Sequence, residues 1–582
     1  MGQSYIRGHI QDNINLIREV LQECFRKNRF IICPIYLKFF KNEGWNPTPI
    51  RDVFAIPKNS IRKNIRTYID LFAVGVKEEY HKSMLKCSKR WVEISSVLCG
   101  RSVKILFFSL SFLAVAQLWG QIPVRAASLT VDTSVGNSPY SITTNTSYNN
   151  ESVGLSLNGG IMNQAGYLNT VYNTLNVGAQ YNALGAYNLS GTGNLNVVIT
   201  TVPAAWEYIG VSGGTGTFNQ SGGTNNMPGG ILFVGSDVLG SGKGGTGTYN
   251  LSAGTITSTR QGVGGNAGPG TGVEAIGDSG GNGTFNQTGG TNNCNNGVFV
   301  GSDTEWVYSG YKTAHTGGTG VYNLSGADSI LITSGAIAGN ARGGEVVGDG
   351  GGIGTFNQFS GTNNATWSGL AVGSDVYGSG YGGVGVFNLY GGSLSASPLP
   401  ESITIIPAIG GEVIGTTRGI GTFNQFSGTN TVEAGLFVGS NINYALQNNA
   451  RGGGTGTYNL SGGTLTANGY WASGSTVFAP GEAIGVGGGT GTFTQTGGTN
   501  TVVGGLGVGI NYSGTGTGTY NLSGGTLSAT GNGISGSADF MPGELIGDGG
   551  GTGTFTQTGG TNTVVGGTST ITGGLYIGSD IF

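Results

Sequence analysis

The chain has 582 residues, a formal net charge of −3, and an uneven distribution of both charge and glycine. Residues 1–100 hold 17 basic against 9 acidic side chains, whereas residues 127–582 hold 6 against 20. The second region also has 111 glycines and nine prolines among 456 residues, a composition that predicts disorder unless the residues recur with a period.

Residues 1–83 form a basic extension with plausible helices, for example over 10–25, where apolar residues recur at helical spacing. This extension contains no catalytic or nucleic-acid-binding motif, and its basic residues are spread out. We therefore expect no nucleic-acid partner and interpret residues 1–83 as an artefactual or processed upstream extension.

Residues 84–126 have the order of a secretory signal peptide. Lys86, Lys89 and Arg90 precede the apolar run 105–116, and small-residue cleavage sites follow. The run is too short to span a membrane comfortably. We predict export from a start at Met84, with no stable membrane span in the mature chain. An uncleaved internal anchor is the alternative.

The cysteines agree with this division. Four of the five precede the predicted cleavage site, so that Cys294 alone remains in the mature chain and no internal disulfide can form there. Cys294 falls in the asparagine-rich stretch 292–296, which we interpret as a joint between strands, and we expect an incidental thiol.

A repeat of about 67 residues runs from near residue 150 to the end, and each unit consists of two related halves. One half carries Gly-Thr-Phe-Asn/Thr-Gln and the other Gly-Thr-Tyr-Asn-Leu, with drift, and residues 161–164 look like a worn first copy. The aromatic residues of the first version are Phe218, Phe285, Phe356, Phe423, Phe493 and Phe555; those of the second are Tyr187, Tyr249, Tyr322, Phe387, Tyr458 and Tyr520.

Each half contains three short runs rich in Thr, Val, Ile and aromatic residues, bounded by glycine-rich corners, which predicts three strands. The sequence therefore predicts an all-β fold over residues 127–582: a right-handed parallel β-helix (β-solenoid) in which each half is one triangular rung. About thirteen rungs at ~4.8 Å spacing would form a rod. Because side chains alternate along a strand, we expect an inward column of Phe and Tyr, with Asn and Thr outward.

One position of the repeat alternates between glutamate and an aliphatic residue. The glutamates are Glu207, Glu274, Glu345, Glu412, Glu482 and Glu544, and the aliphatic residues are Leu232, Val298, Leu370, Leu436, Leu506 and Leu575. Successive glutamates would lie ~10 Å apart, too far for two of them to bind one Ca²⁺. We expect a solvent-facing row at a corner of the solenoid, and we assign no metal site, no cofactor and no catalytic residue.

Aspartates recur at a second position. Asp278, Asp349 and Asp548 follow Ile-Gly or Val-Gly, and Asp237, Asp303, Asp375 and Asp580 follow Gly-Ser. Turn formation explains these aspartates. A Ca²⁺-dependent surface-layer component is an alternative function, although the nine-residue spacing of calcium-binding β-rolls is absent.

A secreted β-helix enzyme that degrades polysaccharides is another alternative. Such enzymes need clustered carboxylates with Lys, Arg or His. The body of the chain holds one histidine, His315, and six scattered basic residues. The largest departure from the repeat is the aromatic joint 303–315, which we interpret as tolerated loop variation. We therefore predict no enzymatic activity.

The repeat resembles one found in bacterial proteins of type V secretion (autotransporters) and in PEP-CTERM surface proteins. The resemblance covers roughly residues 185–582 and is carried by units such as Leu436-Phe-Val-Gly-Ser … Gly456-Thr-Tyr-Asn-Leu-Ser-Gly-Gly-Thr-Leu and Glu544-Leu-Ile-Gly … Gly553-Thr-Phe-Thr-Gln-Thr-Gly-Gly-Thr. It implies an exported β-solenoid at the bacterial surface, and it carries over no catalytic residue.

The chain departs from this family at its end, since Phe582 falls in mid-unit with neither an outer-membrane barrel nor a sorting tail after it. We therefore expect a truncated or partial gene product. The predicted function is an exported structural or adhesin-like protein of the cell surface or extracellular matrix. Glycans, other surface proteins and further copies of the chain are the expected partners.

Overall fold

The computed structural model describes residues 128–198, 206–237, 241–259, 273–303, 317–334, 344–367, 369–375, 381–398, 411–441, 452–471, 478–511, 514–531, 542–566 and 574–579. The chain divides into two compact units, Met1–Ile122 and Pro123–Phe582, and the described residues all belong to the second. The predicted helix at 10–25, the signal region 84–126 and the joint 304–315 lie outside the described residues.

The described part of the chain is a parallel β-solenoid, which confirms the predicted fold class. Each turn, called a rung here, passes through three strands in order, and every strand pairs in parallel with the equivalent strands of the rungs before and after it. Four long strands continue around a corner or join two adjacent positions, so that 39 strands form one continuous sheet. We call the three strand positions the first, second and third faces. The right-handed sense stays a prediction.

The strands of the first face begin with Leu129–Val131 and the C-terminal parts of Thr146–Val153 and Leu168–Val177. They continue with Trp206–Val211, Ile231–Ser236, Glu274–Asp278, Val298–Ser302, Glu345–Asp349, Leu370–Ser374, Glu412–Thr416, Leu436–Ser440, Glu482–Val486, Leu506–Ile510, Glu544–Asp548 and Leu575–Ser579.

The second face consists of Tyr140–Ile142, Gly160–Gln164, Leu184–Leu189, the N-terminal parts of Thr215–Pro228 and Thr246–Thr259, Asn282–Gln287, Thr319–Leu324, Ile353–Gln358, Val384–Leu389, Ile420–Gln425, Thr455–Leu460, Thr490–Gln495, Thr517–Leu522 and Thr552–Gln557.

The third face consists of the N-terminal parts of Thr146–Val153 and Leu168–Val177, Asn194–Val197, the C-terminal parts of Thr215–Pro228 and Thr246–Thr259, Thr291–Cys294, Ile330–Thr333, Thr362–Trp367, Ser393–Pro398, Thr429–Glu433, Thr464–Asn468, Thr499–Val503, Thr526–Thr530 and Thr561–Val565. A short antiparallel pair, Tyr470–Trp471 with Phe478–Ala479, and a 3-10 turn, Thr133–Val135, lie outside the three faces.

One half of the repeat forms one rung, as the sequence predicts. A representative rung consists of Glu274–Asp278, Asn282–Gln287 and Thr291–Cys294. The solenoid begins earlier than the recognisable repeat, because Leu129–Val131 already pairs with the first face. Within the described residues, the second face contains fourteen strands in register, close to the thirteen rungs expected.

The inward aromatic column is confirmed. Along each second-face strand, buried and solvent-facing residues alternate, so that Phe285 and Gln287 point inward while Asn286 is half-buried on the outside. The rings from Tyr187 to Phe555 stack with centroids 4.7–5.1 Å apart and nearly parallel planes. This stack supplies the apolar burial that a thin rod otherwise lacks.

Glycine is required where the first and second faces meet. Gly277 has φ +67°, and a Cβ there would lie 1.9 Å from the Thr319 carbonyl oxygen of the next rung. A Cβ on Gly320 would lie 2.1 Å from the Ile276 carbonyl oxygen. The recurring Ile-Gly and Gly-Thr-aromatic sequences therefore mark a corner where two backbones touch and no side chain fits.

The first face is buried on both sides, unlike the other two. Its inward residues, such as Ile276 and Val300, belong to the central core, and outward residues such as Phe233, Ala275 and Phe299 form a second apolar cluster. Strands buried on both sides read as continuous apolar runs, as the Val298–Ser302 strand does.

Cys294 is located differently from the prediction. It ends the third-face strand Thr291–Cys294 instead of lying in a joint, and its side chain is fully buried. The Sγ atom donates to the Gly297 carbonyl oxygen at 3.0 Å. Burial raises the pKa of this thiol, which keeps it protonated and unreactive.

The contribution of the aromatic column can be measured with two phenylalanines of the same rung. Phe356 is fully buried in the stack, whereas the side chain of Phe359 is 49% exposed. We expect Phe356→Ala to destabilise its region by about 3–5 kcal/mol, and Phe359→Ala by less than about 1 kcal/mol. Hydrogen exchange of the neighbouring rungs would measure the difference, and equal effects would contradict the buried stack.

Candidate functional site

The recurring glutamates are buried in the core, so the expected solvent-facing row is wrong. Each shares the inward side of its strand with an apolar residue two positions later, as Glu207 does with Ile209, and their side chains are 0–1% exposed. The strand pairing adds a seventh member, Glu151, which pairs with Leu129 and Leu175. The column is Glu151, Glu207, Glu274, Glu345, Glu412, Glu482 and Glu544, with an aliphatic residue in every rung between.

Each buried glutamate faces an asparagine of its own rung across the core. In one unit, Asn225 Nδ2 on the third face donates to both carboxyl oxygens of Glu207, at 3.0 and 3.2 Å. The same nitrogen lies 3.2 Å from the hydroxyl of Tyr249 in the next rung, and this hydroxyl donates to Gln220 Oε1 at 2.6 Å. Gln220 Nε2 donates to the Thr255 carbonyl at 3.1 Å.

This network, called the Glu–Asn–Tyr–Gln network here, recurs through the solenoid. It links five of the seven polar rungs to the apolar rung that follows. Equivalent sets with both an Asn–Tyr and a Tyr–Gln bond are Glu151–Asn169–Tyr187–Gln164, Glu274–Asn292–Tyr322–Gln287, Glu412–Asn430–Tyr458–Gln425 and Glu482–Asn500–Tyr520–Gln495.

Burial raises the pKa of every glutamate in the column, and the asparagine amide only partly opposes this effect. The pKa rises to about 7 for Glu151 and Glu274 and to about 8 for Glu207, Glu345, Glu412 and Glu482. It is also raised for Glu544. These carboxyl groups are therefore neutral acids in mildly acidic solution.

Within the described ranges, no basic side chain lies beside these carboxyl groups to stabilise their ionised form. The described ranges contain two basic residues, Lys243 and Arg418, and both are exposed. The Lys243 Nζ lies 3.5 Å from the centre of the Tyr181 ring. One carboxyl oxygen of most of the glutamates, for example Oε1 of Glu345, is buried without a hydrogen-bond partner, and for Glu482 and Glu544 neither oxygen has one within hydrogen-bond distance. An ionised carboxylate in such a place would be costly, which agrees with the neutral form.

One unit lacks part of the network. Phe387 occupies the place that tyrosine holds in the equivalent rungs, and Gln358 Oε1 is buried without a partner there. Asn363 Nδ2 still donates to Glu345 at 2.8 Å, and Gln358 Nε2 to the Ser393 carbonyl at 2.9 Å. This unit is therefore a natural example of the network without the tyrosine hydroxyl.

Restoring that hydroxyl should stabilise the protein. We expect Phe387→Tyr to donate to Gln358 Oε1 and to accept from Asn363, which would increase the free energy of unfolding by about 1 kcal/mol. The matched variant Tyr249→Phe should lower it by about 1–3 kcal/mol, because Gln220 Oε1 loses its donor. Chemical denaturation would measure both, and opposite signs would refute the role given to the hydroxyl.

The glutamate column should also make stability depend on pH. The folded chain retains these protons up to about pH 7–8, whereas the unfolded chain releases them near pH 4.5. The folded state therefore binds more protons in this window, and its stability falls as pH rises through it. We expect the unfolding temperature to be highest near pH 4.5, and the free energy of unfolding to fall by several kcal/mol in total by about pH 9.

Glutamine variants isolate the cause of this dependence. Glu274→Gln should match the wild type near pH 4.5, exceed its stability near pH 9, and flatten the dependence of stability on pH between them. Glu433→Gln is the matched control, because Glu433 is exposed on the third face. If stability rises with pH, or if Glu274→Gln leaves the fall of stability with pH unchanged, the buried glutamates are not the source of the pH dependence.

The outer side of the second face carries a continuous column of asparagines, as the predicted outward orientation requires. From Asn163 to Asn459, each Nδ2 donates to the Oδ1 of the preceding rung at 2.8–2.9 Å. The column continues through Thr494, Asn521 and Thr556. Each half-buried amide keeps one N–H and one lone pair for an external partner.

The recurring aspartates lie at the C-terminal ends of the first-face strands, either as the last residue, such as Asp278, or directly after it, such as Asp303; Asp580 lies outside the described residues. Asp278 accepts from the hydroxyls of Ser279 at 2.9 Å and Ser302 at 3.0 Å, and Asp349 accepts from Ser374 at 2.8 Å. They are buried, so they join adjacent rungs at this corner in addition to ending strands. Within the described residues, no three His, Cys, Asp or Glu side chains converge as metal ligands do.

The described residues include no helix that is long and apolar enough to cross a membrane. Comparison of the chain with protein-family models, with curated proteins and with solved structures finds no match. The resemblance to the repeats of autotransporters and PEP-CTERM surface proteins therefore stays a prediction.

Proposed function

We propose that the protein is an exported structural rod of the bacterial surface or extracellular matrix, which acts by binding and not by catalysis. The observation that carries this proposal is the outer second face. The central outward position of each of its strands is an asparagine or a threonine at the constant rung spacing from Asn163 to Thr556, and its outward positions carry no charged residue in the described strands. A regularly repeating column of this kind suits an extended repetitive partner more than a single small substrate.

Neutral glycans fit the chemistry of this face. The amide groups of the asparagine column can donate to and accept from hydroxyl groups, and the flanking threonines add hydroxyls and methyl groups. The face offers no charge that would select an ionic ligand. The predicted signal at 84–126 and the family resemblance support location outside the cell. Membership of the family associated with type V secretion and PEP-CTERM proteins is part of the same proposal.

Glycan binding can be tested with paired charge insertions in two rungs. Asn219→Asp with Asn286→Asp alters the second face, and Asn226→Asp with Asn293→Asp alters the third face of the same rungs. We expect the full chain to bind insoluble neutral polysaccharide, and the second-face pair to weaken binding several-fold while the third-face pair does not. Because no charge is involved, binding should persist in about 1 M salt.

The same samples separate the proposal from the enzyme alternative. Sustained release of reducing sugar or unsaturated uronate from a polysaccharide panel would contradict a non-catalytic role. Equal weakening by both pairs of substitutions would remove the second face as the binding surface.

A further inference from the structure

Three consecutive rungs break the uniformity of the second face. In the other rungs from Thr215 onward, the first outward position of this strand is Thr or Asn and the corner position is Ser or Thr, as in the strand that begins at Thr455, whereas two earlier rungs expose Ile161 and Leu184. In the three rungs, the first position is Ile353, Val384 or Ile420, and the corner position is Phe359, Tyr390 or Phe426. We call these six residues the three-rung patch.

The three-rung patch is exposed although it is apolar. The aliphatic side chains are 39–53% exposed, and the aromatic ones are 42–49% exposed. The three aromatic rings stack at 5.0 and 4.8 Å with planes 6° apart, so that their edges face solvent as one continuous ridge. Contiguous exposed apolar side chains of this kind mark interaction sites.

The order of the three rungs is symmetric. Residues 353–359 and 420–426 have the same sequence, Ile-Gly-Thr-Phe-Asn-Gln-Phe, and they flank Val-Gly-Val-Phe-Asn-Leu-Tyr at 384–390. A second copy can be generated by a twofold axis that lies above this face, parallel to the central strand. Each outer rung of one copy then faces the opposite outer rung of the other, and the two central rungs face each other. Two copies related by this axis would run antiparallel, with aliphatic residues facing aliphatic and aromatic facing aromatic.

We propose that the three-rung patch is the centre of a face-to-face antiparallel dimer of two copies of this chain. The proposal deepens the structural role given above and rests on it. An isologous interface needs a surface that is complementary to itself under a twofold rotation. The symmetric order of rungs meets this condition, and both copies have the same rung spacing, so that the two sets of ridges stay in register along the contact.

Charge and area favour a second copy as the partner. The outward positions of the second face are uncharged in the patch and in the two rungs on either side, so no like charges oppose each other. From strand length and rung spacing, the outer surface of the three patch rungs covers about 300 Å². Together with the two rungs on either side it covers about 700 Å², close to the ~800 Å² that each partner buries in a stable interface. The aliphatic row and the aromatic row of the patch, with the asparagine column between them, then form the centre of the contact, and the Thr and Asn rungs on either side form a polar rim.

Sedimentation of the full chain tests this dimer. We expect the wild type to be dimeric at micromolar concentration, and Tyr390→Lys to raise the dissociation constant at least tenfold, because the two lysines would face each other across the axis. The matched control is Ser252→Lys, which places the same charge at the same corner position outside the patch. The triple variant Phe359→Ser, Tyr390→Ser, Phe426→Ser should also be monomeric and folded, since serine occupies this position in other rungs.

Small-angle scattering should show a thicker particle and not one of doubled length. A monomeric wild type at about 100 µM, a dimer that survives both patch variants, or a dimer joined end to end would each overturn the proposal. Neutral-glycan binding by a monomeric wild type would leave the structural role standing while the dimer fails. Polysaccharide turnover would remove the non-catalytic role, whatever the oligomeric state.

Discussion

The hydrogen bond between a buried glutamate and the asparagine opposite it sets the arrangement of the whole solenoid. Burying a carboxyl group is unfavourable unless its partner is in place, and that partner lies on a different face of the same rung. In the rung between, the same two positions are aliphatic, as with Leu232 and Ile256. A slip of one rung would bring carboxyl groups against hydrocarbon and separate each tyrosine hydroxyl from its glutamine. The network therefore specifies the register of stacking as well as contributing to stability.

The alternation of polar and apolar rungs explains why the repeat is about 67 residues long, two rungs, and not one rung. A single-rung repeat could place either glutamate or leucine in the column, but not the two in turn. With glutamate and an aliphatic residue alternating in the column, successive carboxyl groups are two rung spacings apart, or ~10 Å, and a hydrophobic layer lies between them. The tyrosine crosses this layer, because Tyr249 stacks on apolar neighbours while its hydroxyl reaches the polar rung before it.

The regular interior also determines the outer surface. Because the inner rings stack at a constant separation, the asparagines outside them must repeat at the same separation, and their amides form a continuous hydrogen-bonded column. Glycines at the corner between the first and second faces let the rungs approach closely enough for this to happen. The surface that we propose for binding is therefore a consequence of how the core is packed.

Sequence reasoning predicted the strands, the rungs and the aromatic column, because alternation along a strand places Phe285 and Gln287 on one side whatever their partners are. It failed for the glutamates because a charged side chain was assumed to prefer water. The signal that could have corrected this was present: Glu274 shares a face with Ile276 and alternates with leucine or valine in neighbouring rungs. Glu151 was missed because its rung lacks the aromatic marker, having Met162 instead. The three-rung patch needed the outward positions to be compared rung by rung.

Infrared spectroscopy of protein with ¹³C-labelled glutamate carboxyl groups tests the central claim most directly. The carbonyl stretch of a neutral carboxylic acid is separate from the carboxylate bands, so the protonated fraction can be followed as pH changes. The account predicts that several glutamates remain protonated near pH 6, well above the ordinary pKa of about 4.3, and ionise only near pH 7–8. Complete ionisation by about pH 5.5 in the folded protein would contradict the buried glutamate column.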